Sequence, residues 1–281
     1  MSTIQELLQR GKSLLRDFPQ PELESRILLT KAASLRESQL YASPEAKLTR
    51  RQERQFLKLL SRRRIGFPLA YLTGYMEFWS IRFRVTQDVF IPRPETELIV
   101  ERVLELSSRK EETIVDLGTG CGSLAVVLAK ELPQAHIIAT DISRRALKIA
   151  RFNASLQEVS RVRWVRGRLF SPLERIGLRQ KCDFIVSNPP YVSESEWEKL
   201  SDEIRSHEPK KALVAGATGL EVIRPIIKES LPYLKPGGFL VLEIGEGQSE
   251  DVLSLFDSKW GSIKSHQDLS GIPRVVAAKK K

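Results

Sequence analysis

Asn188-Pro189-Pro190-Tyr191 is the run whose residue types most directly imply chemistry. Two consecutive prolines remove two backbone N–H donors and fix two φ angles. The first also holds Asn188 extended. A stiff turn results, with two spare acceptors, the Asn188 side-chain oxygen and the Pro189 carbonyl, beside the aromatic face of Tyr191. Such a set suits a planar conjugated NH2 group, which offers two N–H donors and a π surface. The turn follows Cys182-Asp183-Phe184-Ile185-Val186-Ser187, a run that reads as a buried strand.

A second motif, Val115-Asp116-Leu117-Gly118-Thr119-Gly120-Cys121-Gly122, stands between a predicted strand at 112–117 and a predicted helix at 123–131. Strand, glycine loop and helix is the nucleotide-binding arrangement of an open α/β sheet. The spacing is G-x-G-x-G, unlike the G-x-G-x-x-G of dinucleotide binders. The next predicted strand, 135–140, ends in Asp141, a carboxylate placed to accept both hydroxyls of a ribose. Loop, Asp141 and proline turn fall in that order on successive strand ends. Together they imply S-adenosylmethionine as cofactor and an amide-type nitrogen as methyl acceptor.

The elements that must position these residues follow from periodicity. Residues 1–70 carry apolar positions at three- and four-residue steps, which predicts a small helical bundle. Ser2 or Thr3 is placed to cap the first helix, and Pro21 to start another. Residues 71–85 alternate and are rich in aromatic side chains, as in a hairpin linking two domains. In Phe90-Ile91-Pro92-Arg93-Pro94-Glu95-Thr96-Glu97, Arg93 sits between two prolines and is expected to order that loop over the substrate. From 86 to 281 helices and strands alternate. Strands are predicted at 162–166, 183–187, 238–244, 262–267 and 273–279 besides the two above. Helices are predicted at 95–107, 143–153, 195–206, 219–232 and 248–257. Such alternation builds a mainly parallel sheet with right-handed crossovers, and ligands bind at its carboxyl ends.

Composition excludes several classes. A chain of 281 residues with 41% hydrophobic and 28% charged content is long enough for one large and one small globular domain. No apolar run approaches a membrane span, and the start of the chain lacks the apolar core of a signal peptide. A cytoplasmic protein with no membrane contact is the expectation. Two cysteines, Cys121 and Cys182, have no metal or redox spacing, so no metal is expected. His136, His207 and His266 lack a serine or cysteine partner in a recognisable motif. Of the net charge of +10, residues 1–75 carry +7, with 14 Lys and Arg against 7 Asp and Glu. Arg50, Arg51, Arg54, Lys58, Arg62, Arg63 and Arg64 form the densest cluster, read either as a solvated helix face or as a surface for an acidic partner or RNA.

These motifs resemble the peptide chain release factor glutamine methyltransferases, and the resemblance covers most of the chain. It includes Pro68-Leu69-Ala70-Tyr71-Leu72-Thr73-Gly74, the Ile91–Glu97 segment, the loop 116–122, Asn188–Tyr191, Glu208-Pro209, and Glu243-Ile244-Gly245 with Gln248. Ile91-Pro92-Arg93-Pro94-Glu95-Thr96-Glu97 is the most specific part. The resemblance implies a Rossmann-like class I methyltransferase sheet at 86–281, a helical partner-binding domain at 1–70 and a β-hairpin linker at 71–85. It implies methyl transfer to the glutamine of the Gly-Gly-Gln motif of class I release factors, with no stable nucleic-acid complex. Cofactor contacts are implied at Gly118, Thr119, Gly120, Cys121 and Gly122, and at Asp141, Leu169, Phe170 and Asn188. The substrate glutamine is expected on Asn188, Pro189, Pro190 and Tyr191, with Arg93 nearby. One departure is Arg168, where the family often has an acid able to bond the adenine amino group. Competing readings are a glutamine methyltransferase of a ribosomal protein and an adenine-N6 DNA methyltransferase that flips its base. A nucleic-acid-binding module with a vestigial methyltransferase fold is a further alternative, against which the intact loop, Asp141 and Asn188 stand.

Overall fold

The computed structural model describes residues 1–108 and 110–281. The chain divides into two compact units, one formed by residues 1–75 with 201–207 and the other by 76–200 with 208–281.

The first unit packs the helices α1 (Ile4–Leu14), α2 (Pro21–Ala33), α3 (Glu37–Ala42), α4 (Arg50–Arg64) and α5 (Leu69–Thr73). Thr3 caps α1, its hydroxyl accepting from the Glu6 N–H while Glu6 reaches back to the Thr3 N–H. Pro21 opens α2 at its first position, where a missing N–H leaves no bond unmade. Leu7, Leu28, Leu29, Phe56 and Leu60 fill the centre. Arg63 does not belong to the exposed basic face that its neighbours suggest. It is buried, with Nε 2.6 Å from Glu24 Oε2 and Nη1 2.6 Å from Glu203 Oε2.

The second unit opens with a hairpin, β1 (Tyr75–Phe78, whose first residue closes the other unit) and β2 (Ile81–Arg84). The predicted hairpin began at 71, but residues 71–73 complete α5, which Gly74 ends in the left-handed conformation. Trp79 and Ser80 both have positive φ, 54° and 55°, as a two-residue hairpin turn requires. After a short 3-10 turn at Pro94–Thr96 come α6 (Glu97–Leu106), β3 (Thr113–Leu117), α7 (Ser123–Glu131), β4 (His136–Asp141), α8 (Arg144–Leu156) and β5 (Val162–Arg166). Then follow α9 (Ser171–Arg175), β6 (Cys182–Ser187), β7 (Val192–Ser193), α10 (Glu194–Trp197), α11 (Asp202–His207) and β8 (Val214–Gly216). The chain closes with α12 (Ile223–Ser230), β9 (Leu234–Glu243), α13 (Ser249–Ser254), β10 (Trp260–Gln267) and β11 (Pro273–Lys280).

Seven strands form one sheet in the order β10-β11-β9-β6-β3-β4-β5. β9, β6, β3, β4 and β5 run parallel, while β11 and β10 are antiparallel additions. Strand order reverses between β3 and β6, so their carboxyl ends open a crevice there. Ser187 holds the two ends together, its Oγ donating to the Leu117 carbonyl at 2.7 Å. The helix predicted at 195–206 is two short helices. Ser193 caps α10 with Glu196, and α11 belongs to the first unit.

Candidate active site

A cavity of about 410 Å³ lies over the crevice, within the size range of small-molecule sites. Its floor is the loop after β3. Gly118 and Gly120 have φ of +75° and +57°, and a side chain built on either would meet nothing within 4 Å. Both glycines therefore leave open space where a ligand can approach the backbone. Gly122 differs. A Cβ there would stand 2.9 Å from Ala150 Cβ, and the residue does not line the cavity. Its role is to let α7 and α8 pack closely. Thr119 and Cys121 do line the cavity. Burial pushes the Cys121 thiol up to about 11, so it stays protonated at neutral pH.

Asp141 ends β4, where its Oδ2 accepts from the Gly120 N–H at 2.9 Å and its Oδ1 from the Ser143 N–H at 2.8 Å. Burial raises its proton affinity and those backbone donors oppose the rise. Asp116 is the penultimate residue of β3, below the loop. Thr119 Oγ1 donates to its Oδ2 at 2.6 Å, while its buried Oδ1 has no partner among the described residues. Burial first, then the charge of Asp141, pushes Asp116 up to about 7, against the Thr119 bond. An unpartnered carboxylate oxygen, a second carboxylate and a glycine floor fit a cationic nucleoside such as S-adenosylmethionine.

Asn188, Pro189, Pro190 and Tyr191 line the same cavity, so the glycine loop, Asp141 and the proline turn face one space. Asn188 Nδ2 donates to Thr96 Oγ1 at 3.0 Å. Tyr191 Oη donates to Glu243 Oε1 at 3.1 Å, and its carbonyl accepts from Gln248 Nε2 at 2.8 Å. Gly219 is needed beside it, because a Cβ there would lie 2.5 Å from the Tyr191 carbonyl.

Besides Gly122, two predicted contacts fall elsewhere. Phe170 is buried and stacks on Tyr233 at 5.1 Å, while Leu169 lines the cavity. Arg93 is not part of the lining. It pairs with Glu208, whose second oxygen accepts from the Ile91 N–H at 3.3 Å, and it lies over the Phe90 ring. Arg93 thus fixes the segment whose Phe90, Pro92 and Thr96 reach the cavity. The sequence assigns no role to Thr96 or to Glu243 beyond their places in the shared motifs. The only local signal for Thr96 was its place in the Ile91–Glu97 segment. Among the described residues, no group of three His, Cys, Asp or Glu side chains is arranged to hold a metal ion.

An open sheet with this strand order, a glycine loop after its first parallel strand and an Asn-Pro-Pro-Tyr turn on an adjacent strand end define a methyltransferase. Residues 94–213 match the Methyltransferase small domain family, and residues 6–74 match the PrmC N-terminal domain family. A Koribacter versatilis protein described as release factor glutamine methyltransferase is 38% identical over 265 residues, covering 94% of this chain and 93% of its own. Its Nitratidesulfovibrio vulgaris counterpart is 38% identical, covering 99% and 96%. That of Moorella thermoacetica is 42% identical, covering 84% and 82%. The chain belongs to the release factor glutamine methyltransferase family. Among solved structures, the hMettl16 catalytic domain in complex with an MAT2A 3'UTR hairpin has a TM-score of 0.56 at 17% identity, covering 78% of this chain and 81% of that one. A Pyrococcus furiosus methyltransferase gives 0.50 at 18%, covering 78% and 96%. Both likenesses concern the fold alone.

Proposed function

We propose that this protein methylates the side-chain amide nitrogen of the glutamine in the Gly-Gly-Gln motif of class I release factors, using S-adenosylmethionine. The observation that carries the reading is the shared cavity of the glycine loop, Asp141 and the Asn188–Tyr191 turn. The cofactor supplies an electrophilic methyl group on a sulfonium. Gly118 and Gly120 admit it, Asp141 takes the ribose hydroxyls, and Asp116 faces its positive charge. An amide nitrogen is a poor nucleophile because its lone pair is delocalised. The protein therefore has to hold nitrogen and methyl in line, and such positioning contributes roughly 7–11 kcal/mol in favourable cases. Asn188 Oδ1 and the Pro189 carbonyl accept the two N–H bonds, turn the lone pair toward the methyl, and stabilise positive charge as it develops on nitrogen. Tyr191 packs on the amide plane. The methylated amide then loses its extra proton readily to water.

The partner is met by charge. Residues 144–181, on α8, β5, α9 and their connections, hold eleven Lys and Arg against two Asp and Glu, a net +9, and all eleven cations are exposed. A second basic set is Arg50, Arg51, Arg54, Lys58 and Arg64 on the helical unit. Both suit an acidic protein surface. The reading is tested by incubating the protein and labelled cofactor with release factor, ribosomal proteins or DNA. Label on release factor alone is expected. Label on DNA or on ribosomal protein instead would overturn it.

A further inference from the structure

The segments that leave β4 and β5 start side by side, because Asp141 stands opposite Arg166 in the parallel register. Beyond that point lies a second cleft, of about 550 Å³, lined by Ile142, Arg144, Arg166, Gly167, Ser171 and Arg175. It backs on the cavity of the glycine loop. Ile142 and Gly167 line both, whereas Arg144, Arg166, Ser171 and Arg175 line the cleft alone. The cleft thus gathers three exposed guanidinium groups and no carboxylate.

Other arginines of this surface have acidic partners. Arg145 pairs with Asp88 at 3.1 Å and Arg179 with Glu174 at 3.0 Å. Among the described residues, none of the three cleft arginines pairs with a carboxylate. Two are held by backbone carbonyls instead. Arg166 Nε donates to the Ile142 carbonyl at 3.1 Å, and Arg175 Nη2 to the Arg166 carbonyl at 2.6 Å. Each bond uses one N–H of a guanidinium and leaves the others for a ligand. A guanidinium already ordered also loses less freedom on binding. Ser171 adds no donor, since its hydroxyl donates to the Arg168 carbonyl at 3.0 Å. Recognition falls to the arginines.

Their number selects the ligand. A carboxylate carries one charge and two oxygens, which a single guanidinium fork satisfies. Three unpaired forks in one cleft suit a group with more of both. A phosphate supplies them, with a charge of about −1.5 to −2 at pH 7 and at least three acceptor oxygens. We infer that this cleft binds a phosphate dianion, free or carried as a monoester, on Arg144, Arg166 and Arg175. The site is a second one, and it does not depend on the methyl transfer proposed above.

The test is calorimetric titration of the full chain with inorganic phosphate and with adenosine 5'-monophosphate, in saturating S-adenosylmethionine. Ionic strength is held at about 0.15 M, where charges more than about 8 Å away are largely screened. Binding of either ligand is expected. The tighter of the two tells whether the natural ligand is the free ion or an ester. For inorganic phosphate the affinity should be the same without S-adenosylmethionine. Arg144→Gln should weaken binding about tenfold, the usual scale of one charge-assisted hydrogen bond. Arg144 holds no backbone carbonyl, so this variant keeps the fold, and Arg166→Gln should lose as much. Arg145→Gln lies outside the cleft and should change nothing. Equal losses from Arg144→Gln and Arg145→Gln would overturn the inference, leaving only general surface charge. Displacement of phosphate by S-adenosylmethionine would also overturn it, and so would the failure of both ligands to bind. An acidic peptide and an RNA oligonucleotide without a terminal phosphate complete the series. If one of these binds through Arg144 while both phosphates fail, the cleft belongs to a protein or nucleic-acid surface and the inference falls.

Discussion

Asp141 and Asp116 are both carboxylates at strand ends under the glycine loop, yet the structure gives them different work. Asp141 spends both oxygens on backbone N–H groups at Gly120 and Ser143, so it shapes the loop as well as lining the cavity proposed for the cofactor. Asp141→Ala should weaken cofactor binding about tenfold or more, since charge-assisted bonds contribute about 1.5–3 kcal/mol each. Calorimetric titration measures it, and unchanged affinity would remove Asp141 from the site. Asp116 has one buried oxygen without a partner and is pushed up to about 7. A raised carboxyl carries its charge only above that value, so affinity for a cationic ligand should rise as pH climbs from 6 to 8. Asp116→Asn should flatten that slope. The same burial means that the ligand-free protein loses stability as pH climbs toward 7, because the unfolded carboxyl ionises at lower pH than the folded one. At this scale the sequence displayed the residues whose partners are local: the glycines, the acid after β4, the proline turn. It hid Thr96 and Glu243, because their bonds to Asn188 and Tyr191 span 92 and 52 residues, and no period or spacing encodes a contact of that range.

Among the elements, the glycine loop separates binding from packing over five residues. Gly118 faces open space, whereas Gly122 has Ala150 and Trp164 where its side chain would be. Ala at either position pays about 1–2 kcal/mol for the left-handed conformation. Gly122→Ala adds a collision and should lower the melting temperature further. Gly118→Ala should lower it less, while weakening cofactor binding more. Melting curves and titrations on the two variants read the split, and equal effects on both would contradict it. The inner parallel strands β3, β4 and β6 were legible because they are largely buried on both faces and read as near-continuous apolar runs. Short elements escaped. β7 and β8 contribute two and three residues, too few for a period. The break between α10 and α11 was hidden because residues 198–201, three of them polar, match a helix surface as well as a turn.

For the molecule as a whole, net charge and its excess over residues 1–75 were legible, but which cations are exposed was not. The cluster on α4 reads as one basic face, and the structure takes Arg63 out of it. Arg63→Ala would leave Glu24 buried and unpaired and should destabilise the helical unit by about 3–5 kcal/mol. A loss of turnover in that variant would say nothing about the partner. Neutralising Arg50, Arg51, Arg54 and Arg64 is the cleaner test of docking. It should reduce kcat/KM on whole release factor at low salt, less so at high salt, because exposed charges are screened. Turnover of a short Gly-Gly-Gln peptide should be little altered. Equal losses on both substrates would place the cluster's effect in folding instead.

The most direct measurement is mass spectrometry of release factor after incubation with labelled cofactor and either wild-type protein or Asn188→Ala. With wild type, one methyl group is expected on the glutamine of the Gly-Gly-Gln motif. With Asn188→Ala, turnover should fall about a hundredfold while cofactor affinity changes far less. Methyl found on another residue, or near-normal transfer by the Asn188 variant, would contradict the assignment of that turn as the place where the acceptor amide is held.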